Sequence, residues 1–192
     1  DFTFEYPDPQ LEEIITSCAV EVSTSGSISI KVAKGGTTPV PLSAPELIEL
    51  TAYLDARLPA GQIPYIISTS ADTLQIGSVA NPTIVYYNGQ YNSVIQANVI
   101  AALESFMTLL PFNGLIKISS IEDVILAVPG VVDVELSAVI ATPSGGSPVV
   151  LISDAADPIF YARSYQTYAG YVENAGSPDD FASTITFVVA QQ

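Results

Sequence analysis

Twenty carboxylates, one thiol and no histidine are the chain's raw material for chemistry. Without histidine neither a Ser-His nor a Cys-His nucleophile can be assembled, and the commonest metal ligand is missing. Three carboxylate pairs stand as sequence neighbours: Glu12-Glu13, Glu122-Asp123 and Asp179-Asp180. Adjacent side chains diverge by ~100° on a helix and point to opposite faces of a strand, so none of these is a ready-made acid/base pair. Glu122 and Asp123 have a sufficient structural role in the first turn of a helix capped by Ser119 or Ser120. The stretches AADP and SPDD lack the regular oxygen ladder of a calcium loop. Lys34-Gly35-Gly36 lacks the second glycine spacing and the Lys-Ser/Thr of a phosphate loop, and reads as a flexible connection. Cys18, between Ser17 and Ala19, reads as a small buried hydrophobe. No catalytic residue, metal, cofactor or small-molecule substrate is therefore expected.

Aromatic residues are the other chemical resource. Phe160, Tyr161, Tyr165, Tyr168 and Tyr171 put five rings in twelve residues. Tyrosine combines rigid contact area with a hydroxyl, which suits a protein interface, a sugar-stacking platform or packing on the domain's own sheet. The leading expectation is an interface formed by Tyr161, Tyr165, Tyr168 and Tyr171, with acidic Ser177–Asp180 as a charged rim. Phe2, Phe4 and Tyr6 alternate with polar residues before Pro7 and Pro9, the pattern of an edge strand or docking arm, and supply a second candidate contact.

The elements that must position these groups follow from periodicity. Leu11–Val22 reads as a short helix leading into a strand, and Ile28, Ile30 and Val32 mark a second strand. Ser43 with Glu46 at N3 forms a capping box for a helix carrying Leu47, Leu50, Leu54 and Leu58. Strands are predicted over 65–69, 73–76 and 82–87. Val94, Ile95, Val99, Ala102, Leu103, Phe106 and Leu110 give a long helix one broad apolar face. Ala97, Ile100, Ala101, Met107 and Leu109 predict cover from a second direction. Pro111 and Asn113-Gly114 turn the chain into a short helix with Ile121, Val124, Ile125 and Val128. Pro129-Gly130 then leads into a strand from Val131. Val149–Ser153 would pair back as a hairpin, and STITFVVA closes as a strand. The order predicts an α+β fold with two main helices on one face of an antiparallel sheet, a ferredoxin-like βαββαβ core. Expected boundaries are an N-terminal arm and lead-in strand at 1–24, the core at 25–142, and a β-rich, tyrosine-containing extension at 143–192.

Three words inside this pattern, Val99-Ile100-Ala101-Ala102, Leu110-Pro111-Phe112-Asn113-Gly114 and Val128-Pro129-Gly130-Val131-Val132-Asp133-Val134, resemble the C-terminal half of the baseplate J-like family. Ala169-Gly170-Tyr171 is similar to a further word of that family. These are wedge components of contractile phage tails and related injection machines. The resemblance implies a structural, non-enzymatic role in wedge and ring assembly, with other copies of the chain and neighbouring baseplate proteins as partners. It places the chain in a virion tail baseplate or a cytoplasmic injection-system assembly. The family normally carries a further N-terminal portion. The chain begins without Met and without a basic leader, which reads as a fragment or processed chain and not as a signal peptide. A glycan- or receptor-binding module built on the tyrosine-rich segment is the alternative.

Charge narrows the partners. Five basic against twenty acidic side chains give −15, which disfavours nonspecific contact with nucleic acid or an anionic bilayer. No apolar run approaches the ~18–20 residues of a membrane span, so no membrane insertion is expected. One cysteine permits no intrachain disulfide, so nothing marks this as a secreted disulfide protein.

Overall fold

The computed structural model describes residues 14–59, 61–153 and 162–191. The chain has two compact units, Asp1–Ser68 and Thr69–Gln192, so the division falls inside the stretch 25–142 expected as one core.

In the first unit, β1 (Ser17–Val22) and β2 (Ile28–Ala33) form an antiparallel hairpin paired along all six residues. Helix α1 (Ala44–Asp55) then returns the chain to β3 (Tyr65–Ile67), parallel to β2. The capping box is present: Glu46 Oε2 accepts from the Ser43 amide at 2.6 Å and the Ser43 hydroxyl at 2.7 Å. Lys34 Nζ lies 2.8 and 2.7 Å from the two Glu46 oxygens. With the Lys34 hydrogen bond as the largest cause, followed by those from Ser43, the Glu46 carboxyl is held at about 2 against an ordinary 4.5. A carboxyl depressed by folding contributes stability above its unfolded value and loses it as pH falls through the folded one. Acid titration followed by helical circular dichroism should therefore show the unit weakening between pH 4.5 and about 2. Glu46→Gln should remove that component. An unchanged acid transition in the variant would show that the carboxylate contributes nothing there.

The hydrophobic cluster of the second unit is built from strict periodicities. Strand β4 (Asp72–Ile76) buries Asp72, Leu74 and Ile76, and β5 (Thr83–Tyr87) buries Thr83, Val85 and Tyr87. After a 3-10 turn at Gly89–Tyr91, α2 (Ile95–Leu109) buries Ile95, Val99, Leu103 and Met107, four residues apart along one face. Each such side chain contributes roughly 1.5–3 kcal/mol by leaving water. Of the residues that predict cover from a second direction, Met107 is buried and Ile100 packs on the cluster, while Ala97, Ala101 and Leu109 are exposed; α2 is covered by the helix Ile118–Leu126 and by the strand Val172–Asn174.

Strand β6 (Leu115–Lys117) runs directly into α3 (Ile118–Leu126). This corrects the expected Ser119 or Ser120 cap. Ile118, Ile121 and Ile125 are all buried, so the inward stripe starts earlier. The Ile118 amide donates to the Arg163 carbonyl at 3.2 Å, which supplies a partner that no local residue offers. Glu122 and Asp123 consequently lie beyond the first turn. Gly130 has φ +97°, and a Cβ there would stand 2.4 Å from the Tyr91 ring. Glycine is the residue that fits both constraints.

The remaining strands are β7 (Val131–Glu135), β8 (Ala138–Thr142), β9 (Val149–Ser153), β10 (Ser164–Gln166), β11 (Val172–Asn174) and β12 (Ile185–Val189), with a short helix α4 (Phe181–Thr184) before the last. Sheet orders in this unit are β11-β4-β8-β9, β12-β5-β7 and β10-β6. The α+β class is what the structure has. The single ferredoxin-like sheet is not: β2 and β3 pair in the first unit, β4 pairs with β8 and β11, and β5 pairs with β7 and β12. Local alternation reveals a strand but not its neighbour. Here β11 and β12, both from the expected extension, take parallel places beside β4 and β5.

Candidate functional site

Asp72 is the most constrained polar group of the second unit. Period two in β4 aims it inward with Leu74 and Ile76, and it is fully buried. A carboxylate out of water must be hydrogen-bonded to be tolerated. Oδ1 accepts from the Ser144 amide at 3.0 Å and the Ala169 amide at 3.2 Å. Oδ2 accepts from the Tyr165 hydroxyl at 2.8 Å and the Tyr168 amide at 2.5 Å. One side chain thus ties β4 to the β8–β9 connection and to the tyrosine-rich segment.

That segment is an internal strap. Tyr165 sits at the centre of β10 opposite Ile116 of β6. Its ring is 7% exposed and belongs to the hydrophobic cluster. Burial first, then the hydrogen bond and charge of Asp72, push its hydroxyl well above the ordinary tyrosine range. Tyr171 is half-buried; its hydroxyl donates to the Thr69 carbonyl at 2.8 Å, and its ring stacks on Phe112 with centroids 6.4 Å apart. Its hydroxyl is pushed up to about 12, by burial and then by the charges of Glu173 and Asp72.

Two of the sequence words meet at this point. The Asn113 amide donates to the Gly170 carbonyl at 2.7 Å, and the Thr167 amide donates to the Gly114 carbonyl at 3.3 Å. Gln166 Nε2 donates to the Asn113 carbonyl. Asn113 takes φ +63° and Gly170 φ +96°, and a Cβ on Gly170 would lie 2.4 Å from the Phe112 ring. Phe112-Asn113-Gly114 and Ala169-Gly170-Tyr171 therefore form a single joint, closed by backbone hydrogen bonds and an aromatic pair.

Of the expected surface anchors, Tyr165 is corrected: it is a core residue whose hydroxyl is committed to Asp72. Tyr168 and Tyr171 are half-buried. Tyr161, Phe2, Phe4, Tyr6 and the pair Glu12-Glu13 lie outside the described residues. The expected acidic rim is also tied into the fold. Asp179 Oδ1 accepts from Gln75 Nε2 at 3.2 Å, and Asp180 Oδ1 caps α4 by accepting from the Ser183 amide at 3.0 Å. Cys18 is exposed instead of buried, because β1 places it on the same side as Val20 and Val22.

Among the described residues no group of three or more His, Cys, Asp or Glu side chains is placed to hold a metal ion, and no helix is long and apolar enough to cross a membrane. The predicted strands 65–69 and 73–76 leave Asp72 in the connection between them. Its signal was phase, since it stands two residues before Leu74 and four before Ile76, where an inward carboxylate demands donors. Comparison with models of known protein families matches none of them, and comparison with curated protein sequences finds no significant match.

Proposed function

We propose that this chain is a structural component of the baseplate of a contractile tail or injection machine, acting in wedge and ring assembly. Its partners are other copies of itself and neighbouring baseplate proteins, and its location is the virion tail baseplate or the corresponding cytoplasmic injection-system assembly. The observation that carries this reading is the joint just described. Phe112-Asn113-Gly114 and Ala169-Gly170-Tyr171, words on which the baseplate resemblance rests, are joined across a separation of 53 residues by a side chain-to-backbone hydrogen bond, a stacked pair and backbone hydrogen bonds. Buried Asp72 favours a structural over a catalytic role as well, since both its oxygens are already taken by donors of the fold.

The glycan-binding alternative loses its central residue, because Tyr165 presents neither a ring face nor a free hydroxyl. Light scattering over a concentration series tests the assembly reading. Species of several copies should appear as concentration rises. A monomer at every concentration, with tyrosine fluorescence that responds to added glycans, would replace it with the alternative.

A further inference from the structure

Helix α2 carries two stripes at helical spacing, and only one of them is fully buried. Ile95, Val99, Leu103 and Met107 face the cluster. Beside them, Ala102, Ser105, Phe106 and Leu109 follow the i, i+3, i+4, i+7 pattern of a single face. With Val124 and Ala127 of α3 they line an open groove of about 460 Å³ on the second unit. Ala102, Phe106 and Val124 form its floor, packed against the cluster and half-buried, while Leu109 is 78% exposed and Ala127 is exposed too. No residue that lines the groove is charged. A continuous apolar surface of this kind marks a site of association.

We propose that this groove receives an amphipathic helix of a partner protein whose apolar face is flanked by lysine or arginine. Shape selects a helix. The walls are helices, whose backbones are largely paired within themselves, so an extended strand would find no ladder to join. A third helix brings side chains alone and can lay its ridge between the ridges of α2 and α3. Charge selects the flanks. The charged residues of α2 and α3 are Glu104, Glu122 and Asp123, and neither helix holds a lysine or arginine. Asp123 is exposed beside Val124 and one turn before Ala127, which puts it on the rim. A second copy would bring the same net charge of −15 to the contact, and like charge opposes that pairing. The proposal does not rest on the assembly reading, because a foreign basic helix would seat here whatever structure the chain builds.

Binding of a labelled synthetic helix tests it. The probe is a peptide of about eighteen residues, five turns, made of leucine, alanine and lysine, with leucines three and four apart on one face and lysines beside them. At about 0.15 M salt, where the long-range pull of the net charge is screened, its fluorescence anisotropy should rise with added protein. A peptide of the same composition with the leucines scattered, and a helix with glutamate for lysine, should each bind about tenfold more weakly or worse. In the protein, Leu109→Ser should weaken binding about tenfold, and Asp123→Asn should weaken it about two- to threefold and flatten its salt dependence. Both positions are exposed, so both variants should melt like the parent. Equal binding of the scattered peptide, or parent-like binding by Leu109→Ser, would overturn the site. Equal binding of the glutamate helix would overturn the partner's chemistry. Light scattering separates this from the assembly reading. If Leu109→Ser turns a multi-copy chain into a monomer, the occupant is a second copy and the proposal fails while assembly stands. A parent chain that is monomeric throughout yet binds the lysine helix through Leu109 supports the groove and removes the assembly reading.

Discussion

Asp72→Asn should lower the stability of the second unit by about 3 kcal/mol, which for a unit of this size is a fall in melting temperature of roughly 10 °C. The substitution keeps the shape and replaces one oxygen by an NH2 group. Whichever way the amide turns, at least one donor among Ser144, Tyr165, Tyr168 and Ala169 faces another donor. A buried donor left without an acceptor costs about 1–3 kcal/mol, and the surviving hydrogen bonds lose their charge assistance. Near-ultraviolet circular dichroism, which reports on the packed tyrosines, should follow the transition. Asp123→Asn, at an exposed position on α3, is the control and should melt like the parent. A melting point for Asp72→Asn within a degree or two of the parent would show that Asp72 is not what fastens the strap.

The second large effect is expected at Tyr165. Removing a buried aromatic ring typically costs about 3–5 kcal/mol, from lost transfer free energy and the cavity left behind. Tyr165→Ala should therefore unfold or severely weaken the second unit, while Tyr165→Phe, which loses only the hydroxyl, should cost about 1–2 kcal/mol. Tyr168→Ala should be mild, because Tyr168 reaches Asp72 through its backbone amide and not its ring. Denaturant titrations of the three variants check the order. A surface anchor at Tyr165 would give the opposite result, a folded chain with an unchanged midpoint in Tyr165→Ala. Alanine at Tyr165 and Tyr168 together is for the same reason no clean probe of assembly, since loss of the fold would mask any loss of contact.

Local elements were legible in the sequence because their causes are local. The stripe on α2, the capping box at Ser43 and Glu46, the hairpin of β8 with β9 and the alternation of β12 each depend on residues a few positions apart. What escaped has partners far along the chain. Nothing near Ile118 announces that its amide is met by the Arg163 carbonyl, so the start of α3 was placed late. Nothing in a run of tyrosines separates a ring that faces solvent from one that faces a buried aspartate. The single-sheet topology failed similarly, since each of β4 and β5 looks alike whether its neighbour is close in sequence or distant. Read locally, the Phe112 word is a turn and the Ala169 word part of a docking surface. Their meeting is a three-dimensional fact that spacing does not encode.

The parallel pairing of β12 with β5 also bears on how the chain reaches its fold. Strand β5 is the middle strand of β12-β5-β7, and its ladder with β12 closes about a hundred residues of intervening chain. The entropy of closing that loop is lost before the long-range contacts return anything, so such pairings belong to the slow end of folding. On a ribosome, β5 emerges with β4, α2, α3 and β7 well before its second neighbour exists. Until residues 185–189 are made, one side of β5 remains an open edge, the kind of surface at which an unfinished chain can pair with another.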